Sequence, residues 1–330
     1  MKKKIKDLKQ KINQYDFIII GAGGTALAAA MYAARLGLKT LVLGSTYGTE
    51  LPIGGVITTT HIVENYPGFI RLSGVELAKK LEEHAKSYKE VTIKNEKVSE
   101  IKKNGNCFLV STENKRNYVG KTILFATGTK WRKLPDSVKG SREFENKGVS
   151  YCALCDGPLF KGKVVAVIGG SDSAAKDALL LSEYTKKVYI IYRGEQIHPE
   201  PINMERIKKN KKIEIINNTN VIEIKGKNSV ESVVLDKPYK GKKELKVQGV
   251  FVAIGHIPIS DLAKNLGVKL NEKGEIEINH ATSETNIPGV YAAGDVTDKP
   301  FKQLITGVAD GCTAAYSAYQ YITKNKILTC

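Results

Sequence analysis

Residues 16–26 of this 330-residue chain read DFIIIGAGGTA. The apolar run 16–20 predicts a buried strand, and the alanine-rich residues 26–36 predict a helix that stops at Gly37. A second strand is predicted over residues 40–43. Strand, glycine turn, helix and strand in this order form the unit that binds a dinucleotide.

The small residues of the turn have separate roles in such a unit. Gly21 makes the turn, Gly23 lets the backbone approach a pyrophosphate, and Ala26 allows the helix to pack closely on the strand. The helix N-terminus then faces the phosphates. An acidic ribose ligand is not evident, because Gly44 follows the second strand and the nearest acid is Glu50.

A second unit of the same kind begins near Lys163. A strand over residues 164–168 leads into GGSDSA, residues 169–174, and then a helix over 174–184 and a strand over 188–192 are predicted. Two such units are more specific than one, because glycine turns between a strand and a helix are common. They indicate one nucleotide that stays bound and a second site, where another nucleotide binds transiently or which is a remnant of such a site.

The C-terminal part contains a third signal, TNIPGVYAAGDV at residues 285–296. It predicts a strand that runs into a turn, with a helix following from about Gln303. Asp295, at the end of the strand, is suited to hydrogen bonding a ribityl hydroxyl. The helix behind it can direct its N-terminus at the electron-rich edge of a flavin ring.

Two cysteines, Cys152 and Cys155, are separated by two residues and followed by Asp156. Such a pair can close a small disulfide, and a dithiol beside a flavin converts carrier electrons into thiol electrons. The alternative is half of a zinc site. The remaining cysteines are scattered singly and supply no second half-site, so we expect no metal.

The single cysteines have other interpretations. Cys107 lies in an alternating strand pattern and is interpreted as a small core residue, and Cys312 as a packed helix residue. Cys330, at the terminus, is interpreted as a reactive tail thiol or a disordered residue. Because only one pair is clustered, the chain is not expected to be a disulfide scaffold, and the cytoplasm is the expected compartment.

Composition sets the remaining bounds. Hydrophobic residues make up 42% and charged residues 26%, as in globular proteins with room for two domains. No apolar run predicts a membrane span or a secretory signal, and residues 5–12, within a leading segment 1–14, predict a short amphipathic helix. The net charge of +17 indicates a solvated lysine surface or an acidic protein partner. Nucleic acid is not expected, because the lysines are spread along the whole chain.

Taken together, the motifs resemble the low-molecular-weight thioredoxin reductases, flavoproteins of the pyridine-nucleotide disulfide oxidoreductase superfamily. The resemblance covers residues 16–321 and rests on GAG at 21–23, GG at 54–55, TTT at 58–60, ENYPG at 64–68, ATG at 126–128, CALCDG at 152–157, FVAIGH at 251–256, GDV at 294–296 and KQL at 302–304. It implies an α/β fold of two dinucleotide-binding, Rossmann-like, three-layer domains, the second inserted into the first. Residues 15–129 and 253–330 would bind FAD, and residues 130–252 would form the NAD(P)-type domain with the dithiol.

The resemblance also implies a cytoplasmic homodimer and a set of site residues. Catalysis would rest on Cys155 as the sulfur on the flavin side, Cys152 as the sulfur that attacks a thioredoxin-like protein, and Asp156 as proton donor and acceptor, with a turn or cap aspartate as the alternative. The residues that would bind FAD are Gly21, Gly23, Gly24, Thr25, Gly55, Asn65, Ala126, Thr127, Gly128, Gly294, Asp295, Lys302, Gln303 and Leu304. The linkers at 126–128 and 254–256 would allow one domain to rotate against the other.

The second unit departs from the family pattern. The possible nucleotide site consists of Gly169, Gly170, Ser171, Asp172, Ser173 and Arg193. Ser171 stands where the family has a glycine, and Asp172 would bring negative charge to the phosphates. The arginine clamp HRRxxxR is reduced to Tyr192, Arg193, Gly194 and His198.

These departures make a nicotinamide nucleotide doubtful as a cofactor and make NADPH in particular doubtful as the electron donor. Ferredoxin, a reduced deazaflavin or NADH are the expected donors, and an acidic ferredoxin would be attracted by the net charge of +17. Two other interpretations remain. One is an NAD(P)H-dependent reductase of thioredoxin or peroxiredoxin, and the other is a flavin-bound redox sensor without turnover.

Overall fold

A computed structural model describes residues 13–44, 51–325 and 330. The chain divides into two compact units, Met1–Lys130 with Pro258–Cys330, and Trp131–Ile257. The two boundaries between the units, after residues 130 and 257, lie one and five residues C-terminal to the boundaries predicted from the sequence. The helix predicted over residues 5–12 lies outside the described residues, and Asn13 and Gln14, the last two residues of the predicted leading segment, belong to a strand.

The regular elements follow one another along the chain in three parts. The first part contains β1 (Asn13–Ile20), α1 (Gly24–Arg35), β2 (Thr40–Gly44), α2 (Gly74–Lys86), β3 (Val91–Asn95), β4 (Val98–Asn104), β5 (Cys107–Thr112), β6 (Asn117–Phe125) and β7 (Thr129–Trp131). The middle contains β8 (Val149–Ser150), α3 (Ala153–Asp156), β9 (Val164–Ile168), α4 (Asp172–Tyr184), β10 (Lys187–Ile191), α5 (Pro201–Lys209), β11 (Ile213–Ile216), β12 (Val221–Gly226), β13 (Val230–Tyr239), β14 (Lys242–Lys246) and β15 (Gly249–Val252). The last part contains β16 (His256–Pro258), α6 (Asp261–Asn265), β17 (Val290–Ala292) and α7 (Leu304–Lys324), and 3₁₀ turns cover Gly55–Thr59, Gly157–Phe160 and Gly294–Val296.

The first unit is built on a seven-stranded sheet in the order β3-β2-β1-β6-β5-β4, with β17 also paired to β6. The strands β3, β2, β1, β6 and β17 are parallel, and β4, β5 and β6 form an antiparallel meander. Ile18 of β1 is in register with Leu41 on one side and Ile123 on the other. All three side chains are fully buried, as expected for a central parallel strand.

Alternation along β1 gives this unit its three layers. Phe17 and Ile19 pack against the alanine-rich faces of α1 and α7. Ile18 and Ile20 lie in the opposite cluster, with β4, β5 and residues 262–296. Because successive side chains of a strand point to opposite faces, one apolar run supplies both clusters.

The second unit repeats the arrangement. Its parallel sheet has the order β11-β10-β9-β15-β8, and a separate antiparallel sheet has the order β12-β13-β14. Val165 and Val167 pack with α4 and α5, whereas Ala166 packs with the antiparallel sheet. The predicted three-layer α/β fold is confirmed. The segments that join the units, β7 and β16, pair with each other.

Two predicted element boundaries shift. The strand predicted from residue 285 begins only at Val290, because Pro288 and Gly289, whose φ is +78°, form a turn before it. The helices α1 and α4 begin two residues earlier than predicted. No helix within residues 13–44 and 51–325 is both long and apolar enough to cross a membrane.

The predictions for two single cysteines are wrong in part. Cys107 is buried in β5, as expected, but it forms a disulfide with Cys330. Cys330 is therefore neither a free tail thiol nor unplaced, and the chain has a second disulfide besides Cys152–Cys155. The neighbours of Cys107, Phe108 and Val110, are buried as well, so the predicted alternation does not hold. Cys312 is the free cysteine in the described chain, half-buried in α7 as predicted, and burial raises the pKa of its thiol.

We expect Cys330→Ser to lower the stability of the first unit. The Cys107–Cys330 bond closes a loop with a sequence separation of 223. Closing so long a loop restricts the unfolded chain and contributes roughly 2–5 kcal/mol. Thermal unfolding without reductant should show a lower melting temperature for Cys330→Ser than for the wild type. Cys312→Ser is the control, and equal melting temperatures for wild type and Cys330→Ser would contradict the expectation.

Asp177 is a half-buried carboxyl on α4 that the sequence did not single out. It stands between Ala174, Ala178 and Leu181, which face the core of the second unit. Within the described chain no hydrogen bond or ion pair is found at its carboxylate. Desolvation by burial therefore raises the pKa of Asp177 to about 7.

This shift predicts a pH-dependent stability. The folded state holds the Asp177 proton up to about pH 7, whereas the unfolded chain loses it near the ordinary value of 3.8. The free energy of unfolding should therefore fall as pH rises between these two values, and stay level above them. Asp177→Asn removes the effect and should raise the free energy of unfolding at pH 8 by roughly 1–4 kcal/mol, with a smaller gain at pH 5. Urea unfolding measures the difference, with Glu205→Gln, an exposed residue of α5, as the control. A gain that does not depend on pH would refute the assignment.

Candidate active site

The glycine turn after β1 lies between the ends of two other strands. The Gly21 N–H donates to the Leu43 carbonyl (2.8 Å), and the Ala126 N–H donates to the Ile20 carbonyl (2.9 Å). Gly21 has a φ of +110°, and a Cβ there would lie 2.3 Å from the Ala126 oxygen. Glycine is therefore required at this position by the protein itself.

Gly23, the N-cap of α1, has a different requirement. Its φ of −76° suits any residue, and a Cβ there would meet no protein atom closer than 3.7 Å. No side chain caps the first turn of α1. Gly54 and Gly55 run alongside, with the Gly24 N–H donating to the Gly54 carbonyl (3.2 Å). The backbone thus leaves an open, Cβ-free approach to a helix N-terminus, which fits the pyrophosphate of FAD.

A second group of predicted residues meets at the N-terminus of α7. The Asn65 side-chain amide donates to Gln303 Oε1 at 3.0 Å, although 238 residues separate them in sequence. Gln303 is the N-cap of α7, and Asp295 lies in the 3₁₀ turn that precedes this helix. The structure therefore brings together a helix N-terminus, two amides and an aspartate, which can bind the polar groups of a flavin.

Other predicted cofactor residues contact protein groups instead. Gly24, at the start of α1, is buried against Leu304, at the start of α7, so these two residues pack the two helices together. Thr25 lies against Gly294 and Gly307, where its hydroxyl would clash with an added Cβ. The Lys302 amino group pairs with Glu275 and donates to the Asp295 carbonyl (3.0 Å). We infer that Lys302 positions the Asp295 turn rather than binding a ligand with its charge.

The remaining predicted residues of this group follow β6. The Thr127 hydroxyl donates to the Ile259 carbonyl (2.6 Å), and the Ile259 N–H donates to the Gly128 carbonyl (3.0 Å). Gly128 has a φ of +61°. These bonds hold residues 126–128 beside the glycine turn of β1, through the Ala126 contact with Gly21.

The dithiol lies in the second unit. Cys152 and Cys155 form a disulfide across the short helix α3, just after β8. Cys152 is buried, with 9% of its surface exposed, whereas Cys155 is exposed. The Cys155 N–H donates to Cys152 Sγ at 3.2 Å. Such an N–H stabilises negative charge on the Cys152 sulfur. The family resemblance assigns the attack on the target disulfide to this sulfur.

Ser150 is a residue of this site that sequence reasoning missed. Its hydroxyl donates to Asp156 Oδ2 at 2.6 Å and accepts the Cys152 N–H at 3.1 Å. Asp156 is thereby oriented by a side chain beside the dithiol, which favours a site role over the turn alternative. A serine two residues before a cysteine is common in any protein, so no sequence signal could have identified it.

The second glycine turn has the backbone of the first. Gly169 has a φ of +148°, and a Cβ there would lie 2.2 Å from the Ala253 oxygen. Ser171, the N-cap of α4, has φ −83° and ψ 178°, close to φ −76° and ψ 177° at Gly23. In this second turn, however, a Cβ occupies the position that must be empty for a pyrophosphate to approach closely. The arrangement does not fit a dinucleotide as well as the first unit does.

Two side chains near this turn have partners within the protein. The half-buried ring of Tyr192 lies against Gly170 and Gly194, and is packed edge-on to His198. The Asp172 carboxylate, which the sequence predicts as negative charge near the phosphates, is paired within the protein. It accepts the Glu200 N–H (2.9 Å) and the Asn203 amide (2.8 Å), and it pairs with Lys176 (2.7 Å).

These partners hold the pKa of Asp172 below its usual range despite its burial. Ser173 is exposed in the first turn of α4, and Arg193 is exposed just after β10. In the described residues no group of three or more His, Cys, Asp or Glu could hold a metal ion.

Comparisons with known proteins agree with this geometry. The family model described as pyridine nucleotide-disulphide oxidoreductase matches residues 15–315. A thioredoxin reductase of Bacillus subtilis (strain 168) is 37% identical over 312 residues, covering 94% of this chain and 95% of the relative.

Two solved structures extend the comparison. The Lactococcus lactis thioredoxin reductase has a TM-score of 0.87 and 36% identity, covering 94% of this chain and 99% of that one. A ferredoxin-flavin thioredoxin reductase from Clostridium acetobutylicum has a TM-score of 0.50 and 32% identity, covering 95% and 99%. The chain therefore belongs to the pyridine nucleotide-disulphide oxidoreductase family and, within it, to the enzymes of the low-molecular-weight thioredoxin reductase type.

Proposed function

We propose that this protein is a flavin-dependent disulfide reductase that reduces a thioredoxin-like protein through Cys152 and Cys155. One observation carries the proposal: the disulfide of α3 stands beside an aspartate that Ser150 orients. Family membership implies a bound FAD, and the Gly21–Gly23 turn with the N-terminus of α1 fits its pyrophosphate.

The reaction divides into two balanced steps. A bound, reduced FAD would supply the electron pair that, with two protons, converts the Cys152–Cys155 disulfide into two thiols. The Cys152 thiolate then attacks the target disulfide and forms a mixed disulfide, while one target thiolate leaves. Cys155 attacks Cys152 Sγ, which releases the second target thiolate and closes the original disulfide. Asp156 accepts the Cys152 proton and returns it to the first leaving thiolate, and the Cys155 proton passes to the second target thiolate.

Cys155→Ser should trap the target protein. Without the resolving sulfur, Cys152 can form the mixed disulfide but cannot release it. Incubating the variant with an oxidised thioredoxin should give a stable covalent complex, visible by non-reducing electrophoresis. Dithiothreitol should separate the two proteins by reducing the mixed disulfide. Cys152→Ser is the matched control and should give no such complex. If Cys152→Ser formed the complex and Cys155→Ser did not, the roles assigned to Cys152 and Cys155 would be reversed.

We further propose that the physiological donor is not a nicotinamide nucleotide. Ser171 has a Cβ at the pyrophosphate position, Tyr192 covers Gly170, and only Arg193 remains of the arginine clamp. A low-potential protein donor such as ferredoxin need not enter this turn. The Clostridium acetobutylicum relative is a ferredoxin-flavin thioredoxin reductase, which supports this class of donor.

One observation favours NAD(P)H as the second candidate. The N-terminus of α4 has no side-chain cap, and Arg193 is exposed just after β10, the strand next to β9 in the sheet. An anion could therefore still bind there. The two candidates differ in how the FAD absorption responds to each donor.

Anaerobic stopped-flow mixing should show slow or no FAD reduction by NADPH and NADH, and rapid reduction by reduced ferredoxin. Each charged arginine contact to phosphate is worth about 1.5–3 kcal/mol, so the loss of two weakens NADPH binding by roughly two to four decades. Rapid, saturable reduction by micromolar NADPH would refute the proposal. A variant combining Ser171→Gly, Tyr192→His, Gly194→Arg and His198→Arg should gain NADPH-dependent reduction. Asp172 is left unchanged in it, because it holds α5.

A further inference from the structure

Exposed lysines gather at one edge of the second unit. The strands β9, β10 and β11 are parallel neighbours, so the residues that precede them lie on a common edge. We call this set the lysine edge: it consists of Lys161, Lys163, Lys186, Lys208, Lys209, Lys211 and Lys212. All seven are exposed.

Backbone hydrogen bonds join the three loops of the lysine edge into one surface. The Lys186 N–H donates to the Lys163 carbonyl (2.8 Å), and the Val188 N–H donates to the Lys212 carbonyl (2.9 Å). The Gly162 N–H donates to the Tyr184 carbonyl (3.0 Å). The lysines are therefore held side by side, although they are spread over residues 161–212 of the sequence.

The described residues leave most of the positive charge of this surface without an ion-pair partner. No ion pair in the described structure involves any of the seven lysines. The nearest acid on the strands, Glu214, bonds to Lys187, Lys240 and Tyr239, which hold its pKa at about 2. Glu183 and Glu205 lie on the adjoining helices and are outnumbered.

A short segment leads from the dithiol, which follows the carboxyl end of β8, to the lysine edge at the amino ends of β9, β10 and β11. From Cys155 the chain passes through α3 and the 3₁₀ turn Gly157–Phe160 to Lys161, a path of roughly 10 Å at helical rise. Phe160 anchors the turn against Phe251, with ring centroids 5.3 Å apart. Leu159, on the same turn, is 70% exposed. An apolar contact thus stands between the reactive sulfurs and the lysines.

We propose that Leu159 and the lysine edge form the docking surface for the protein whose disulfide Cys152–Cys155 reduces, and that this target has an acidic face beside its disulfide. The inference rests on the proposed function. A domain of about 100 residues has a radius of gyration of about 13 Å, so a target on the dithiol also covers Leu159 and Lys161. Lysines without exposed aromatic residues among them favour an acidic protein over single-stranded nucleic acid.

The test reverses charge at the lysine edge and at a matched surface. One variant combines Lys161→Glu, Lys163→Glu and Lys186→Glu. The control combines Lys242→Glu, Lys243→Glu and Lys246→Glu, exposed residues of β14 in the same unit, whose sheet covers the opposite face of the parallel sheet. Dithionite supplies the electrons, so the natural donor is bypassed. The substrates are an acidic thioredoxin, a basic thioredoxin and a small aromatic disulfide.

We expect the lysine-edge variant to lose roughly 10- to 100-fold in kcat/KM for the acidic thioredoxin at low salt, mainly through KM. The control should change less than about threefold, because it alters the net charge equally without touching the docking surface. Reduction of the small disulfide should be unchanged in both variants. For the wild type, rising salt should weaken reduction of the acidic thioredoxin only.

Each other outcome has a defined meaning. An equal loss in both variants, or no loss in the lysine-edge variant, overturns the inference. The lysine-edge variant could instead keep normal thioredoxin reduction but show slower FAD reduction by reduced ferredoxin, or weaker binding of duplex DNA. Either result would assign the surface to another partner and would also overturn the inference. A wild-type protein that reduces the small disulfide but neither thioredoxin overturns the proposed function instead.

Discussion

Each unit depends on a close backbone contact between a glycine and a carbonyl at the end of a neighbouring strand. A Cβ at Gly21 would lie 2.3 Å from the Ala126 oxygen, and a Cβ at Gly169 would lie 2.2 Å from the Ala253 oxygen. Each contact sets how closely the glycine turn packs against the strand end beside it. The helix that follows, α1 or α4, then begins with its N-terminus at the carboxyl end of the parallel sheet, the position where open α/β sheets bind ligands.

The same constraint explains which parts of the site could be predicted. The glycine turns, the parallel strands and the dithiol follow from local patterns of a few residues, and the structure has them in place. The Cys107–Cys330 disulfide and the Asn65–Gln303 contact join residues 223 and 238 positions apart, and no local pattern reports such pairs. The partners of Asp172 were missed for the same reason, because α5 begins only after Glu200, 28 residues downstream.

Charge is another property that folding rearranges. Along the sequence the lysines look evenly spread, which indicates a solvated surface and little else. A parallel sheet, however, brings the starts of successive strands to one edge, although a crossover of many residues separates them. Lys163, Lys186 and Lys212 precede three adjacent strands and therefore become neighbours. A net charge of +17 becomes informative about a partner only after the topology is known.

The two glycine turns also separate what the fold requires from what a ligand requires. Gly21 and Gly169 are required by the protein, since a side chain at either would clash with a backbone oxygen, and they would be present with or without a nucleotide. Gly23 is different, because the protein leaves room for a Cβ there and its φ suits any residue. The close approach of a pyrophosphate would account for glycine at that position. Ser171 occupies the equivalent position with nearly the same dihedral angles, so the second unit keeps the glycine that its sheet needs and lacks the one that a nucleotide needs.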